Sequence, residues 1–220
     1  MKLKIGLCIA RPLGKRVHDI IAATKDVEIV AMNVIEDGWW GKTGLKSTHT
    51  PQEVFEAKPD LVVSVLAEHI FKQHEIDSTP LGVINLHPAP LPEYRGCNGY
   101  AHAIINGDDS YRVTLHKVDA GIDTGPIIEE GFLKISEGET GRSLHDKAQI
   151  CAEETFGFFW ECFIEDQIIS SRDQMDNLAY YYNRQSLDAY RDLSKIHPSN
   201  RNRVRRAMTF YPHPLPKEPV

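Results

Sequence analysis

Apolar runs rich in Val and Ile alternate with amphipathic stretches over the first two thirds of the chain. The apolar runs predict β-strands, and the stretches between them have the periodicity or the capping residues of helices. Strands are predicted at residues 3–9, 27–34, 61–66, 81–86, 111–118 and 126–135. Helices are predicted at residues 17–24 and 51–57 and in a long segment after Thr140. This alternation indicates right-handed βαβ units and an α/β fold with a doubly wound sheet.

The long helix and the segment after it differ sharply in pattern. The helix carries one apolar stripe at helical spacing, formed by Leu144, Ala148, Cys151, Thr155, Phe159 and Phe163. From Arg172 onward the chain becomes polar and irregular, and it ends in the proline-rich "YPHPLPKEP". The change in composition predicts a catalytic domain over residues 1–170 and a short C-terminal extension over 171–220.

Composition restricts the class of protein. The 220 residues are 41% hydrophobic and 25% charged, with a net charge of −6, so a basic nucleic-acid-binding surface is not expected. No apolar run approaches the ~20 residues of a membrane span, and the first residues lead into a strand, not a signal peptide. The four cysteines have no C-x-x-C spacing and are expected to be thiols of a reducing compartment, the cytoplasm.

Candidate chemistry begins in "VINLHPAPLP", residues 83–92. Asn85 and His87 are two residues apart on a predicted strand, so their side chains share a face at its carboxyl end. Open α/β sheets bind ligands at that end. Three prolines then fix the φ angles of the following loop and restrict its freedom. The alternative interpretation is a rigid loop in which Asn85 caps a turn and the hydrogen-bonding groups of His87 are satisfied within the structure.

A second cluster, "HKVDAGIDTGPII" at 116–128, follows another predicted strand. Gly121 and Gly125 allow the backbone to pass close to a ligand, and Asp119 and Asp123 lie on the same loop. Asp-Gly turns are also common without a function. Together, an amide, an imidazole and a carboxylate suit acyl transfer to an amine. No third ligand accompanies His87 and Asp123, so no metal is expected.

The two motifs resemble those of the formyltransferase family that uses 10-formyltetrahydrofolate. This family includes methionyl-tRNA formyltransferase, glycinamide ribonucleotide transformylase and the nucleotide-sugar N-formyltransferases. The resemblance covers residues 2 to about 165 and implies a Rossmann-like, mostly parallel sheet. One departure is Ala89-Pro90, where many members have Ser-Leu. The matching positions are Asn85, His87, Leu91-Pro92, Arg95-Gly96 and Asp123.

The resemblance implies roles for these residues. Asn85 would donate a hydrogen bond to the oxyanion, His87 would share that role or relay a proton, and Asp123 would hold His87 or a water molecule. The folate cosubstrate would lie beside "SVLAEHIF" at 64–71, although a surface histidine is an equally good interpretation of His69. The implied folate contacts are Leu66, His69, Ile70, Asp119 and Asp123.

The acceptor amine is predicted by comparing the chain with the sequence features of each branch of the family. "ARPLGKR" at 10–16 has one glycine, unlike the phosphate-binding loop of the purine-pathway enzyme. A polar tail is not expected to form the RNA-contacting domain of the tRNA enzyme. A nucleotide-linked amino sugar remains, with Asn98, Tyr100 and His102 as candidate contacts. Transfer to another amine, of the glycinamide ribonucleotide or methionyl-tRNA type, and hydrolysis of formyltetrahydrofolate are the alternatives. A non-enzymatic nucleotide-binding module is disfavoured because the Rossmann phosphate fingerprint is missing.

Two further features have open interpretations. In "RNRVRRAMTFYPHPLP" at 201–216, Arg205 could meet a pyrophosphate and Tyr211 could cover a base, or the segment could simply be solvated. Trp39 and Trp40 could stack on a flat ring of a ligand, or their side chains could pack in the core. A homodimer is expected.

Overall fold

The computed structural model describes residues 2–36, 43–210 and 215–218. The strands are β1 Leu3–Ala10, β2 Val27–Ile35, β3 Leu61–Val65, β4 Val83–His87, β5 Arg95–Gly96, β6 Ser110–Lys117, β7 Ile127–Lys134 and β8 Tyr181–Tyr182. The helices are α1 Arg11–Ala22, α2 Pro51–Glu56, α3 Gln73–Asp77, α4 Gly99–Asn106, α5 Gly141–Asp166 and α6 Pro198–Ala207. Trp39 and Trp40 lie outside the described residues.

Six strands form the main sheet in the order β2-β1-β3-β4-β6-β7. The first four are parallel, and β6 and β7 are added as an antiparallel pair beside β4. The prediction of an α/β, mostly parallel sheet is therefore confirmed.

Helices cover the two faces of this sheet, so the central strands are apolar on both sides. The larger apolar core includes Leu7 and Ile9 of β1 and lies under α1, α4, α5 and α6. A smaller core contains Cys8 of β1 and Val62 of β3 together with Val54 of α2. The alternation of β1 residues between two cores explains why β1 has no polar residue after Lys4.

The first helix begins earlier than the sequence pattern predicts. Residues 10–16 were expected to form a loop, but α1 begins at Arg11. Pro12 is tolerated because the first turn of a helix has no N–H partner to lose. Gly14 is required by close packing, since a Cβ there would lie 2.9 Å from the Cβ of Ile9.

Helix α5 confirms the predicted long helix and refines its buried stripe. The Thr140 hydroxyl accepts a hydrogen bond from the backbone N–H of Ser143 at 3.1 Å and caps the helix. Cys151 is only half-buried, whereas its neighbour Ala152 is buried. The buried positions are Gly141, Leu144, Ala148, Ala152, Thr155, Phe156, Phe159, Trp160 and Phe163.

The segment after residue 171 packs against the preceding part of the chain. Its strand β8 pairs with β5, and α6, which the sequence did not predict, packs against α4. Only Val204 and Ala207 of α6 are buried, so its sequence has almost no apolar periodicity. Within the described residues, no helix has the length and apolar character needed to cross a membrane.

Candidate active site

A cavity of about 460 Å³ opens at the carboxyl ends of β1, β3 and β4. Its wall includes Asn85, His87 and Asp123, which come from β4 and from the loop between β6 and β7. The structure thus brings the three predicted catalytic residues together at the edge where open α/β sheets bind ligands.

Strand pairing fixes the surroundings of Asn85. Asn85 of β4 lies directly opposite His116 of β6 in the antiparallel ladder. The amide Nδ2 of Asn85 is 3.0 Å from Nε2 of His116, and Nδ1 of His116 is 2.8 Å from the carbonyl oxygen of Lys117. Because a carbonyl can only accept, Nδ1 carries the hydrogen and Nε2 accepts from Asn85. Asn85 therefore keeps one amide hydrogen for another acceptor.

The same reasoning defines the two nitrogens of His87. Its Nε2 is 2.9 Å from the carbonyl oxygen of Tyr94, so this nitrogen donates. Its Nδ1 lies 3.7 Å from Oδ2 of Asp123. Tyr94 is itself buried, with its hydroxyl bonded to Asp108, so the carbonyl that orients His87 belongs to a fixed loop. The neutral imidazole consequently keeps its basic nitrogen on the side of Asp123.

Asp123 lies between two histidines. Its Oδ1 is 3.6 Å from Nε2 of His116, and its Oδ2 accepts a hydrogen bond from the backbone N–H of Gly96 at 2.8 Å. Burial by itself raises the pKa of Asp123, but His87 and His116 in their protonated forms, together with the Gly96 N–H, hold that pKa well below its usual range. Asp123 is therefore an anion at neutral pH and can stabilise an imidazolium at His87.

This arrangement offers an amide donor, a basic nitrogen and a fixed carboxylate within one cavity wall. These groups suit a reaction in which an oxyanion develops while a proton leaves a nucleophile. His116 had no predicted role, although it begins the motif at 116–128. His116 could have been identified as a polar residue on the strand next to Asn85, but only once the pairing of β4 with β6 was known.

The residues expected near the folate also line the cavity, with differing exposure. Leu66 and Asp119 belong to its wall, and one Asp119 oxygen is already bonded within its own loop, to the N–H of Gly121 and the hydroxyl of Thr124. Ile70 is 65% exposed. His69 is not a free surface histidine, because its Nε2 lies 2.9 Å from the buried Glu75.

The predicted substrate contacts fall into two groups. Asn98 and Tyr100 line the cavity. His102 does not, because its ring is buried against Tyr182 at a centroid separation of 3.9 Å. Arg205 also lies outside the cavity wall, where its guanidinium bonds the Glu218 carboxylate at 2.7 and 2.8 Å. Tyr211 lies outside the described residues.

Three arginines that the sequence did not single out line the cavity: Arg11, Arg184 and Arg191. Burial raises the pKa of the Cys97 thiol, which also lines the cavity, while Arg184 and Arg11 act in the opposite direction. Arg184 forms a salt bridge with Glu68, which also lines the cavity. The wall therefore carries three guanidinium groups together with three carboxylates, those of Glu68, Asp119 and Asp123.

Backbone strain is concentrated at this cavity. Arg11, Leu66, Asn98 and Asp123 have φ values of 64°, 54°, 63° and 55°, and all four line the wall. Residues with a Cβ cost roughly 1–2 kcal/mol in this left-handed region. Such strain persists where the surrounding structure enforces it, often at functional sites.

Among the described residues, no group of three or more His, Cys, Asp or Glu side chains has the arrangement of a metal site. His87 and Asp123 face each other through a single 3.7 Å contact.

Comparison with known proteins gives a family and a set of similar folds. The profile described as "Formyl transferase" matches residues 16–156. Methionyl-tRNA formyltransferase of Hahella chejuensis is 30% identical over 150 residues, which are 68% of this chain and 47% of that protein. This chain thus spans about half the length of that relative.

Several solved structures resemble nearly the whole chain. An N-formyltransferase from Helicobacter canadensis, solved with folinic acid and dTDP-3-aminofucose, has a TM-score of 0.79 at 24% identity and covers 97% of this chain and 84% of its own. A sugar N-formyltransferase from a Shewanella species has a TM-score of 0.74 at 17% identity, with coverages of 96% and 89%. At these identities the likeness establishes the shared fold.

Proposed function

The chain belongs to the formyl transferase family, and from this premise we propose that it moves the formyl group of 10-formyltetrahydrofolate to the amine of a nucleotide-linked amino sugar. The observation that carries the proposal is the meeting of Asn85, His87 and Asp123 in one cavity wall. A hydrogen-bond donor, a base and a carboxylate are the groups that acyl transfer to an amine requires.

Formyl transfer joins the amine nitrogen to the formyl carbon and breaks the bond between that carbon and N10 of the folate. The free amide hydrogen of Asn85 donates to the oxygen that becomes negative on the way. His87 takes the proton of the attacking amine at Nδ1 and returns it to N10. Asp123, 3.7 Å from that nitrogen, stabilises the intervening imidazolium.

The cosubstrate is proposed to lie between the segment at 64–71 and the loop carrying Asp119. Ile70 and Ile122 are 65% and 42% exposed on these two segments, and both line the cavity. Apolar side chains that are exposed in a cavity suit the faces of a flat ring. The buried Glu75 holds His69 by Nε2, which leaves Nδ1 for a polar group of the pterin.

The arginines of the cavity wall support an anionic acceptor. Arg11, Arg184 and Arg191 line the cavity and can neutralise a diphosphate. Tyr100 stacks on Phe210 at 5.0 Å beside them, which provides an aromatic surface for a base or sugar. The structurally similar protein from Helicobacter canadensis was solved with dTDP-3-aminofucose, which is a nucleotide-linked amino sugar.

The test is to incubate the protein with 10-formyltetrahydrofolate and a panel of amino-sugar nucleotides, and to detect a gain of one formyl group by mass. The panel also contains glycinamide ribonucleotide, methionyl-tRNA and a sample with no amine. Asn85→Ala provides the matched inactive variant.

We expect formylation of at least one amino-sugar nucleotide, and none with Asn85→Ala. Formylation of methionyl-tRNA alone would assign the acceptor named for the relative from Hahella chejuensis. Folate deformylation without any acceptor would make the protein a hydrolase.

A further inference from the structure

Gln174, in the C-terminal extension, bonds the backbone of the loop that carries Asp123. Its Nε2 donates to the carbonyl oxygens of Asp123 at 2.9 Å and Gly125 at 2.7 Å. Its Oε1 accepts from Nε and Nη2 of Arg95 at 3.1 and 2.8 Å. One side chain thus connects the extension to the loop that carries Asp123 through two hydrogen bonds, and to Arg95 of β5 through two more.

Arg95 determines which way the amide of Gln174 faces. A guanidinium can only donate, so it requires the oxygen of Gln174, and the amide nitrogen must then face the two carbonyls. The Arg95 side chain is only 12% exposed and is also bonded to Asp176 at 2.8 Å. All hydrogen-bonding positions of the Gln174 amide are used, so its orientation is fixed.

The loop needs such support because its conformation is unfavourable. Asp123 has a φ of 55°, in the region that residues with a Cβ rarely adopt. Gly125 passes so close to the chain that a Cβ there would lie 1.9 Å from the carbonyl oxygen of Lys117. The carboxylate also depends on one backbone donor, the N–H of Gly96 at 2.8 Å.

We propose that Gln174, oriented by Arg95, is a positioning residue that holds Asp123 opposite His87 and His116. The extension therefore completes the active site, although Gln174 itself contacts no reacting atom. The kinetic part of this inference rests on the proposed function, whereas the structural part does not.

Two substitutions separate the contacts of Gln174. Gln174→Ala removes all four hydrogen bonds. Gln174→Glu keeps the bonds from Arg95 but turns a carboxylate oxygen toward the carbonyls of Asp123 and Gly125. Arg172→Ala is the matched control, because Arg172 lies in the same segment, is 59% exposed and pairs with Glu130 away from the loop.

The first measurement needs no substrate. Hydrogen exchange of the Gly96 amide, followed by NMR, reports whether the Asp123 carboxylate remains in place. We expect exchange to accelerate about tenfold or more in Gln174→Ala and Gln174→Glu, and by less than about twofold in Arg172→Ala. Unchanged exchange in both Gln174 variants would overturn the proposal.

The second measurement is the kinetics of formyl transfer with the amine that the wild-type protein accepts. We expect kcat to fall about 10- to 100-fold in both Gln174 variants, with KM for each substrate changed by less than about threefold. Faster exchange with a normal kcat would also overturn the positioning role. If the wild-type protein formylates no amine, the proposed function fails, and the exchange result alone decides whether Gln174 holds the loop.

Discussion

The chemistry of Asn85 depends on which atom of its amide faces the cavity. His116 accepts from Nδ2 at 3.0 Å, because its other nitrogen is committed to the carbonyl of Lys117. This arrangement turns the amide nitrogen of Asn85 toward His116 and keeps its second hydrogen available. Two strand residues that face each other therefore set up the proposed oxyanion donor.

Replacing Asn85 by Ala should lower kcat by about 10²–10³, the usual effect of losing an oxyanion donor. Binding of the folate, measured by calorimetry, and the melting temperature should change little, since Asn85 is only partly buried. Asn33→Ala is a suitable control, because the Asn33 amide bonds the carbonyl of His49, outside the cavity wall. Turnover close to normal in Asn85→Ala would remove Asn85 from the mechanism.

Replacing His116 by Leu should lower kcat about tenfold, because the Asn85 amide then loses the acceptor that orients it. His116→Gln retains an oxygen acceptor at this position and should recover part of the lost rate. The comparison is made at saturating concentrations of both substrates. Equal rates for the Leu and Gln variants would show that orientation of Asn85 is not the function of His116.

At the scale of elements, the docking of the extension onto α4 depends on a neutral histidine. His102 of α4 stacks on Tyr182 of β8 and bonds the hydroxyl of Ser186 at 2.7 Å. Burial lowers the pKa of His102 from 6.5 to about 4. Between these values the unfolded chain binds a proton that the folded protein does not, so stability decreases as the pH falls through this range.

Wild-type protein should therefore lose about 2 kcal/mol of unfolding free energy from His102 between about pH 7 and pH 5. His102→Phe keeps an aromatic ring against Tyr182 and should show a correspondingly smaller loss in urea titrations at the two pH values. Ser186→Ala removes the hydrogen bond but keeps the titrating group, so its pH dependence should match that of the wild type. A wild-type pH dependence in His102→Phe would contradict this assignment.

At the scale of the whole molecule, the distribution of charge is more informative than its sum. A net charge of −6 opposes the approach of an anionic substrate. Arg11, Arg184 and Arg191 nevertheless line the cavity. Association with a nucleotide-linked sugar should then depend on these three guanidinium groups, and it should weaken as salt increases.

Arg11→Ala should raise KM for the sugar nucleotide about tenfold or more and leave KM for the folate nearly unchanged. Arg205→Ala is a matched control, because it removes the same charge from a position outside the cavity wall. Its KM should stay within about twofold of wild type. Equal effects of the two variants would indicate a general change in electrostatic attraction, not a contact in the cavity.

The sequence by itself determined the strands of the sheet and the candidate residues Asn85, His87 and Asp123 at the carboxyl ends of its strands. Apolar runs such as 61–66 specify strands because both faces are buried, and the spacing of Asn85 and His87 specifies a shared face. These are local properties, fixed by backbone geometry within a few residues. The start of α1 was missed because Gly14 is a weak helix former, and its place in the first turn follows from close packing on Ile9, which is a tertiary contact.

Tertiary structure alone decided which distant residues complete the site. His116 reaches Asn85 through the β4–β6 register, and Gln174 reaches Asp123 from a segment with little apolar pattern. The tertiary structure also places Arg205 and His102 outside the cavity wall and Arg11 and Arg184 within it. The physical reason is that these contacts are polar and long in sequence separation, so no local periodicity or propensity records them.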